Sequence, residues 1–193
     1  TLRGMGYPGP FLLMQSNGGM ATVEHCRFLP AALVLSGPAA GAAAGGIYAA
    51  ACGFRDAVFF DMGGTSTDIS LIEDGLPHLT TETFEGGWKI AVPMIDIKTL
   101  GAGGGSISKV DPGGILRVGP ESAGAEPGPA CYDKGGVFPT VTDANLILGY
   151  LNPDNFLGGA TKLDPGLAQL AVESRIAGPL GLSALEAAHG VHH

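Results

Sequence analysis

Between Arg27 and Arg55 the chain carries no Asp, Glu, Lys or Arg, and this run limits the possible folds more than any other feature. Residues 28–54 are numerous enough to suggest a membrane helix, and Gly37, Gly41 and Gly45 stand at a small-xxx-small spacing. Pro30 and Pro38 interrupt the run, however, and most of its residues are Ala or Gly, weak drivers of insertion. The run reads instead as a buried strand over 32–35 and a buried helix over 39–52. That helix has proline in its first turn and Gly53 as its stop. No membrane association is expected.

Such a run must be buried against something, and there is material for a core: 45% of residues are hydrophobic and mean hydropathy is +0.27. Glycine supplies 33 of 193 residues, more than twice the usual share of about 7%, which points to many backbone turns. The formal net charge of −8, with no cluster of Lys or Arg, excludes a nucleic-acid surface. Cys26, Cys52 and Cys131 lie far apart and form no CxxC pair, so neither a zinc site nor a disulfide framework is indicated. A reduced, cytoplasmic compartment fits that usage. Thr1 opens the chain, and a capping box at Ser183–Glu186 starts a helix still running at His193. Residues 1–193 are therefore expected to be a single partial domain, the central part of a longer chain.

The element pattern is mixed α/β. A short strand at 11–14 runs into the turn Ser16-Asn17-Gly18-Gly19, and a buried-type strand at 57–60 runs into DMGGTSTD and out through 69–72. A second hairpin turns at Asp111-Pro112-Gly113-Gly114. Helices are expected at 142–151, 164–177 and from Ser183 onward.

The segment from Asp61 to Ser70 is the sharpest chemical signal. A phosphate group needs several backbone N–H donors close together, and glycine lets a backbone approach without a Cβ clash. Gly63 and Gly64 supply that freedom, while Thr65, Ser66 and Thr67 add hydroxyls. Phosphates bring Mg²⁺, which takes carboxylates, and Asp61 and Asp68 bracket the tip. The plainer reading is a polar hairpin tip, against which the paired carboxylates weigh. No GxxxxGK[ST] P-loop occurs.

Other segments divide more evenly. Gly101, Gly103, Gly104 and Gly105 form a glycine run that fails the GxGxxG pattern, since Ser106 stands where the last glycine belongs. It reads either as a flexible linker or as a packed loop approaching a ligand or another backbone. Ser36 to Gly41 opens a helix, where close packing is the stronger reading and anion binding the weaker one. In the Gly/Pro-rich loop from Gly119 to Gly136, the stretch from Glu121 to Asp133 reads either as a substrate or partner loop or as a solvated connector. Within it Cys131 lacks the surroundings that activate a thiol. His189 and His193 share a helix face but read as surface residues, and His25 and His78 read as structural.

Together these segments resemble the hydantoinase A/oxoprolinase family. The resemblance rests on Gln15–Gly19, Leu35–Gly41, Asp61–Asp68, Gly101–Ser106, Ser122–Cys131 and Pro139–Asn145, in that order, and covers nearly the whole chain. It implies an incomplete ribonuclease-H-like lobe of the actin, Hsp70 and sugar-kinase ATPase fold, with a mixed sheet and flanking helices. In that fold DMGGTSTDIS is the second of two phosphate-binding hairpins, and the first lies outside this sequence. Lys98 departs from the histidine the family favours.

The resemblance further implies ATP and Mg²⁺ as cofactors, Asp61 and Asp68 as catalytic metal ligands, and Gly63 to Thr67 with Gly101 to Gly105 as cofactor-binding. The expected activity is ATP-dependent hydrolysis of a cyclic amide, in which phosphorylation of the amide oxygen precedes attack by water. A hydantoinase B-type partner subunit and an oligomeric assembly are implied as well. Two alternatives stand beside this: a subunit of an acetone-type carboxylase, and a non-catalytic actin-like nucleotide-binding module.

Overall fold

The uncharged run folds as a 3-10 turn at Pro30–Leu33 followed by helix α2, Ser36–Ala51, so the strand expected at 32–35 does not form. Two local causes compete against it. Pro30 sits at the first helical position with its φ already suited to a helix. Ser16 then takes the carbonyls that a strand would offer to a neighbour: its Oγ donates to Ala32 O at 2.7 Å and to Val34 O at 2.5 Å. Leu35 turns the corner in the left-handed region, φ 58°.

The computed structural model describes residues 2–193, the Glu85 side chain excepted. Its elements are mixed: strands follow one another without an intervening helix from Ala57 to Ser122, and helices predominate after that. Contacts group the described residues into two compact units, residues 2–61 with Asp68–Thr99, and Met62–Thr67 with Leu100–His193. Among the described residues no helix is long and apolar enough to cross a membrane.

The first unit begins with a hairpin of β1, Leu12–Met14, and β2, Met20–Thr22, paired antiparallel. Thr22 caps the short helix α1, Val23–Phe28, by accepting from His25 N. Strands β3, Ala57–Met62, and β4, Thr67–Glu73, are neighbours in a four-stranded sheet with β5, Leu76–Pro77, and β10, Lys98–Leu100. Between them lie two-stranded pairs: β6, Leu79–Thr80, with β9, Met94–Ile95, and β7, Thr83–Glu85, with β8, Trp88–Ile90.

Helix α2 supplies this unit's core with Ala39 and Ala42, packed with Ile95 and Phe59. Its glycines are needed for that approach. A Cβ on Gly41 would stand 2.7 Å from the Phe59 ring, and one on Gly46 would stand 2.8 Å from the carbonyl oxygen of Gly75. Gly46→Ala should therefore destabilise the fold by about 1–2 kcal/mol, overpacking outweighing the gain in helix propensity. Gly37→Ala, with nothing within 4 Å of its Cβ, should be neutral or stabilising. Urea unfolding of both variants checks the contrast.

The second unit carries the antiparallel hairpin of β11, Ser106–Val110, and β12, Leu116–Ser122, whose turn is tied by Asp111. Helices α3, Val141–Ile147, α4, Pro165–Val172, and α6, Ala184–His192, pack around Ala144, Val172, Ile176 and Ala188. After α4 the backbone widens into a π-helical turn at Glu173–Ala177 before the short α5, Gly178–Leu180. Gly178 N reaches back five residues to Glu173 O. Pro179 has no N–H with which to continue an ordinary ladder. The capping box expected at Ser183 is present, with Glu186 accepting from Ser183 N and Oγ.

Candidate functional site

The hairpin of β3 and β4 forms as its sequence suggests, because an apolar strand meets a segment whose residues favour a turn. The tip is closed by Gly63 N donating to Ser66 O at 2.9 Å. Gly63, Gly64 and Thr65 are exposed, Ser66 is half-buried and Thr67 is buried. Thr67 is held from its side chain, Oγ1 donating to Ala102 O at 2.6 Å. Asp61 is exposed and takes part in no ion pair among the described residues. Asp68 is half-buried and its Oδ1 accepts from Thr99 Oγ1 at 2.6 Å.

The glycine run is a packed loop lying against another backbone, and that backbone is the hairpin tip. Gly104 N donates to Gly63 O at 2.9 Å and Gly105 N to Gly64 O at 2.6 Å, while Gly103 N turns inward to Ser106 Oγ at 2.8 Å. The approach demands glycine: a Cβ on Gly103 would stand 2.8 Å from three backbone atoms of Gly63 and Gly64. Gly101 is exposed at the start of the run. The amides of Gly103, Gly104 and Gly105 are thus engaged within the protein.

This contact orients the tip. The Gly63–Gly64 and Gly64–Thr65 peptides are trans, and in a trans peptide the N–H points opposite to the C=O. Both carbonyls face the glycine run, so the N–H groups of Gly64 and Thr65 face away from it. Neither N–H has a protein partner among the described residues. Two unpartnered backbone donors on one side of the tip, beside the exposed Thr65 and half-buried Ser66, are the elements of an anion site.

Asp143 is the residue that sequence reasoning passed over. It is fully buried, and its carboxylate accepts from Cys131 N at 2.8 Å, Ala130 N at 3.2 Å, Thr140 N at 2.8 Å and Thr140 Oγ1 at 2.7 Å. Thr140 and Asp143 form a capping box at the start of α3, a spacing visible in the sequence. Cys131 is buried in the same place. Its thiol is pushed far above its ordinary pKa, first by burial and then by the Asp143 carboxylate, so it is no nucleophile.

The remaining candidates are placed apart from any such cluster. Lys98 pairs with Asp96 at 2.9 Å, His78 with Glu73 at 2.7 Å, and His189 and His193 are exposed. Among the described residues no group of three or more His, Cys, Asp or Glu is placed to hold a metal ion. Two carboxylates remain at the hairpin, Asp61 and Asp68. One or two carboxylates completed by phosphate oxygens and water is the coordination Mg²⁺ commonly takes, so the residues present fit that ion.

The hydantoinase/oxoprolinase family model matches residues 2–193. The chain is 47% identical over 187 residues to the caprolactamase subunit alpha of Pseudomonas jessenii, covering 97% of this chain and 27% of that one. It is 43% identical over 190 residues to the acetophenone carboxylase gamma subunit of Aromatoleum aromaticum, covering 97% and 26%. Among solved structures, the ATP-dependent caprolactamase from Pseudomonas jessenii superposes with a TM-score of 0.82 at 45% identity, over 98% of this chain and 27% of that one. The chain thus spans about a quarter of the length of the relatives it matches.

Proposed function

The chain belongs to the hydantoinase/oxoprolinase family, and on that premise we propose that it supplies the phosphate-binding hairpin of an ATP-dependent enzyme that opens cyclic amides. The observation that carries this reading is the pair of outward-facing, unpartnered N–H groups at Gly64 and Thr65, beside the hydroxyls of Thr65 and Ser66. Such donors stabilise phosphate oxygens without reorganising. Asp61 and Asp68 are the magnesium ligands in this proposal. ATP supplies the phosphoryl group that activates the poorly electrophilic amide carbonyl, so that water opens the ring C–N bond and inorganic phosphate is released. The chain's own part is to bind and orient the phosphates; Gly101 to Gly105 act from behind the tip. The finer fold assignment, a ribonuclease-H-like lobe of an actin-like ATPase, belongs to the same proposal, as does a cytoplasmic enzyme working with a hydantoinase B-type partner subunit in an oligomer.

A second reading keeps the hairpin's role and changes the substrate: the same phosphorylation would activate a ketone or bicarbonate for carboxylation. The similarity to a carboxylase subunit favours keeping it. In the longer polypeptide, ATP-dependent formation of a ring-opened amino acid supports the first reading, and incorporation of labelled bicarbonate the second.

The hairpin assignment is tested by thermal-shift titration with ATP and ADP, each with and without Mg²⁺, on this chain and on the longer polypeptide. A ligand that binds only the folded state adds about 2.7 kcal/mol at a hundredfold excess over Kd. A magnesium-dependent rise that Asp61→Asn abolishes is the expected result. No shift in the longer polypeptide, or an equal shift in the Asp61→Asn variant, would remove the assignment.

A further inference from the structure

We infer that Thr142 is a positioning residue for the phosphate-binding amides, acting through the glycine run; the inference rests on the phosphate-binding reading of the hairpin. Thr142 lies in the first turn of α3, 7% exposed, and gives two hydrogen bonds to one acceptor. Its backbone N–H and its Oγ1 both donate to Gly104 O, each at 2.8 Å. Two donors on one carbonyl fix the plane of the Gly104–Gly105 peptide.

The other end of that plane is the Gly105 N–H, which donates to Gly64 O at 2.6 Å. The Gly64 carbonyl belongs to the peptide whose N–H is that of Thr65. Three steps therefore run in line: Thr142 to Gly104–Gly105, Gly105 to Gly64–Thr65, and Thr65 N–H out to the anion. Peptides linked this way polarise one another, so the final N–H is both aimed and strengthened as a donor. A parallel line sets the neighbouring donor, with Ser106 N on Gly103 O at 3.0 Å and Gly104 N on Gly63 O at 2.9 Å. Only the first line is anchored by a side-chain hydroxyl outside the run.

The hydroxyl is separable from the rest of the residue. Thr142→Val keeps the β-branched shape and the backbone N–H and removes the hydroxyl, with its bond to Gly104 O and its contact with the Tyr132 phenol; Thr142→Ser keeps both and removes the methyl. The Kd of Mg·ATP is measured by calorimetry for the wild type and both variants, in whichever of this chain and the longer polypeptide shows the magnesium-dependent shift. The expected result is binding about five- to tenfold weaker in Thr142→Val, the scale of one net hydrogen bond, and within about twofold of wild type in Thr142→Ser. Unchanged binding in Thr142→Val overturns the inference while leaving the hairpin assignment standing. Equal weakening in both variants also overturns it, since the methyl and not the hydroxyl would then matter.

Amide chemical shifts of the wild type give an arm that needs no variant. On adding Mg·ATP, the largest changes are expected at Gly64 and Thr65 N–H. Larger changes at Gly104 and Gly105 would mean that the run binds phosphate directly, which also overturns the inference. A wild type that binds no Mg·ATP in either form removes the hairpin reading itself.

Discussion

Asp143→Ala is expected to cost about 4 kcal/mol of folding stability, or about a thousandfold in the folding equilibrium. The carboxylate accepts three backbone N–H groups and one hydroxyl, and Ala130, Cys131 and Thr140 are all buried, so no water replaces it. Each orphaned buried donor costs about 1–3 kcal/mol. Asp143→Asn keeps the shape and one acceptor oxygen but turns an NH₂ group toward the donors. It should fall between wild type and alanine, near 2 kcal/mol by the same scale. Urea unfolding followed by far-UV circular dichroism measures both. A loss under about 1 kcal/mol for the alanine variant would mean that the loop holding Cys131 finds other acceptors.

Gly103→Ala should have the second large effect, and on binding more than on stability. The added Cβ would stand 2.8 Å from Gly63 O, Gly64 C and Gly64 O, all backbone atoms that cannot swing aside. Moving the run away stretches the bonds from Gly104 and Gly105 that aim the tip. Overpacking of this kind costs about 2 kcal/mol of stability, and losing the aim of two donors should weaken Mg·ATP binding by about a hundredfold. Gly64→Ala is the control for contact, because a Cβ there meets nothing within 4 Å. It should fold as stably as wild type. Equal stability of the two variants would show that the close approach is not maintained in solution.

What could be read from the sequence follows from how local each cause is. The β3–β4 hairpin and the capping box at Ser183 are written in neighbouring residues, and both stand where the sequence places them. The glycine run reads equally as linker or packed loop, because a glycine facing a ligand and a glycine facing a carbonyl are the same residue until the tip arrives from about forty positions earlier. The strand expected at 32–35 lost to a hydroxyl at Ser16, again remote in sequence. Helix α1 and strand β2 have no clear periodicity of their own, although Thr22 is an ordinary helix cap. Asp143 shows the same division: its bonds to Thr140 belong to a visible capping box, whereas those to Ala130 and Cys131 depend on a loop folding back.

The division into two units has a practical consequence through the cysteines. Cys52 is exposed, while Cys26 is buried in the first unit and Cys131 in the second. Each unit thus carries one concealed thiol, and an alkylating pulse marks it only when that unit opens. Mass spectrometry of the labelled peptides would time the two openings separately in one sample, with Cys52 recording that the reagent was present.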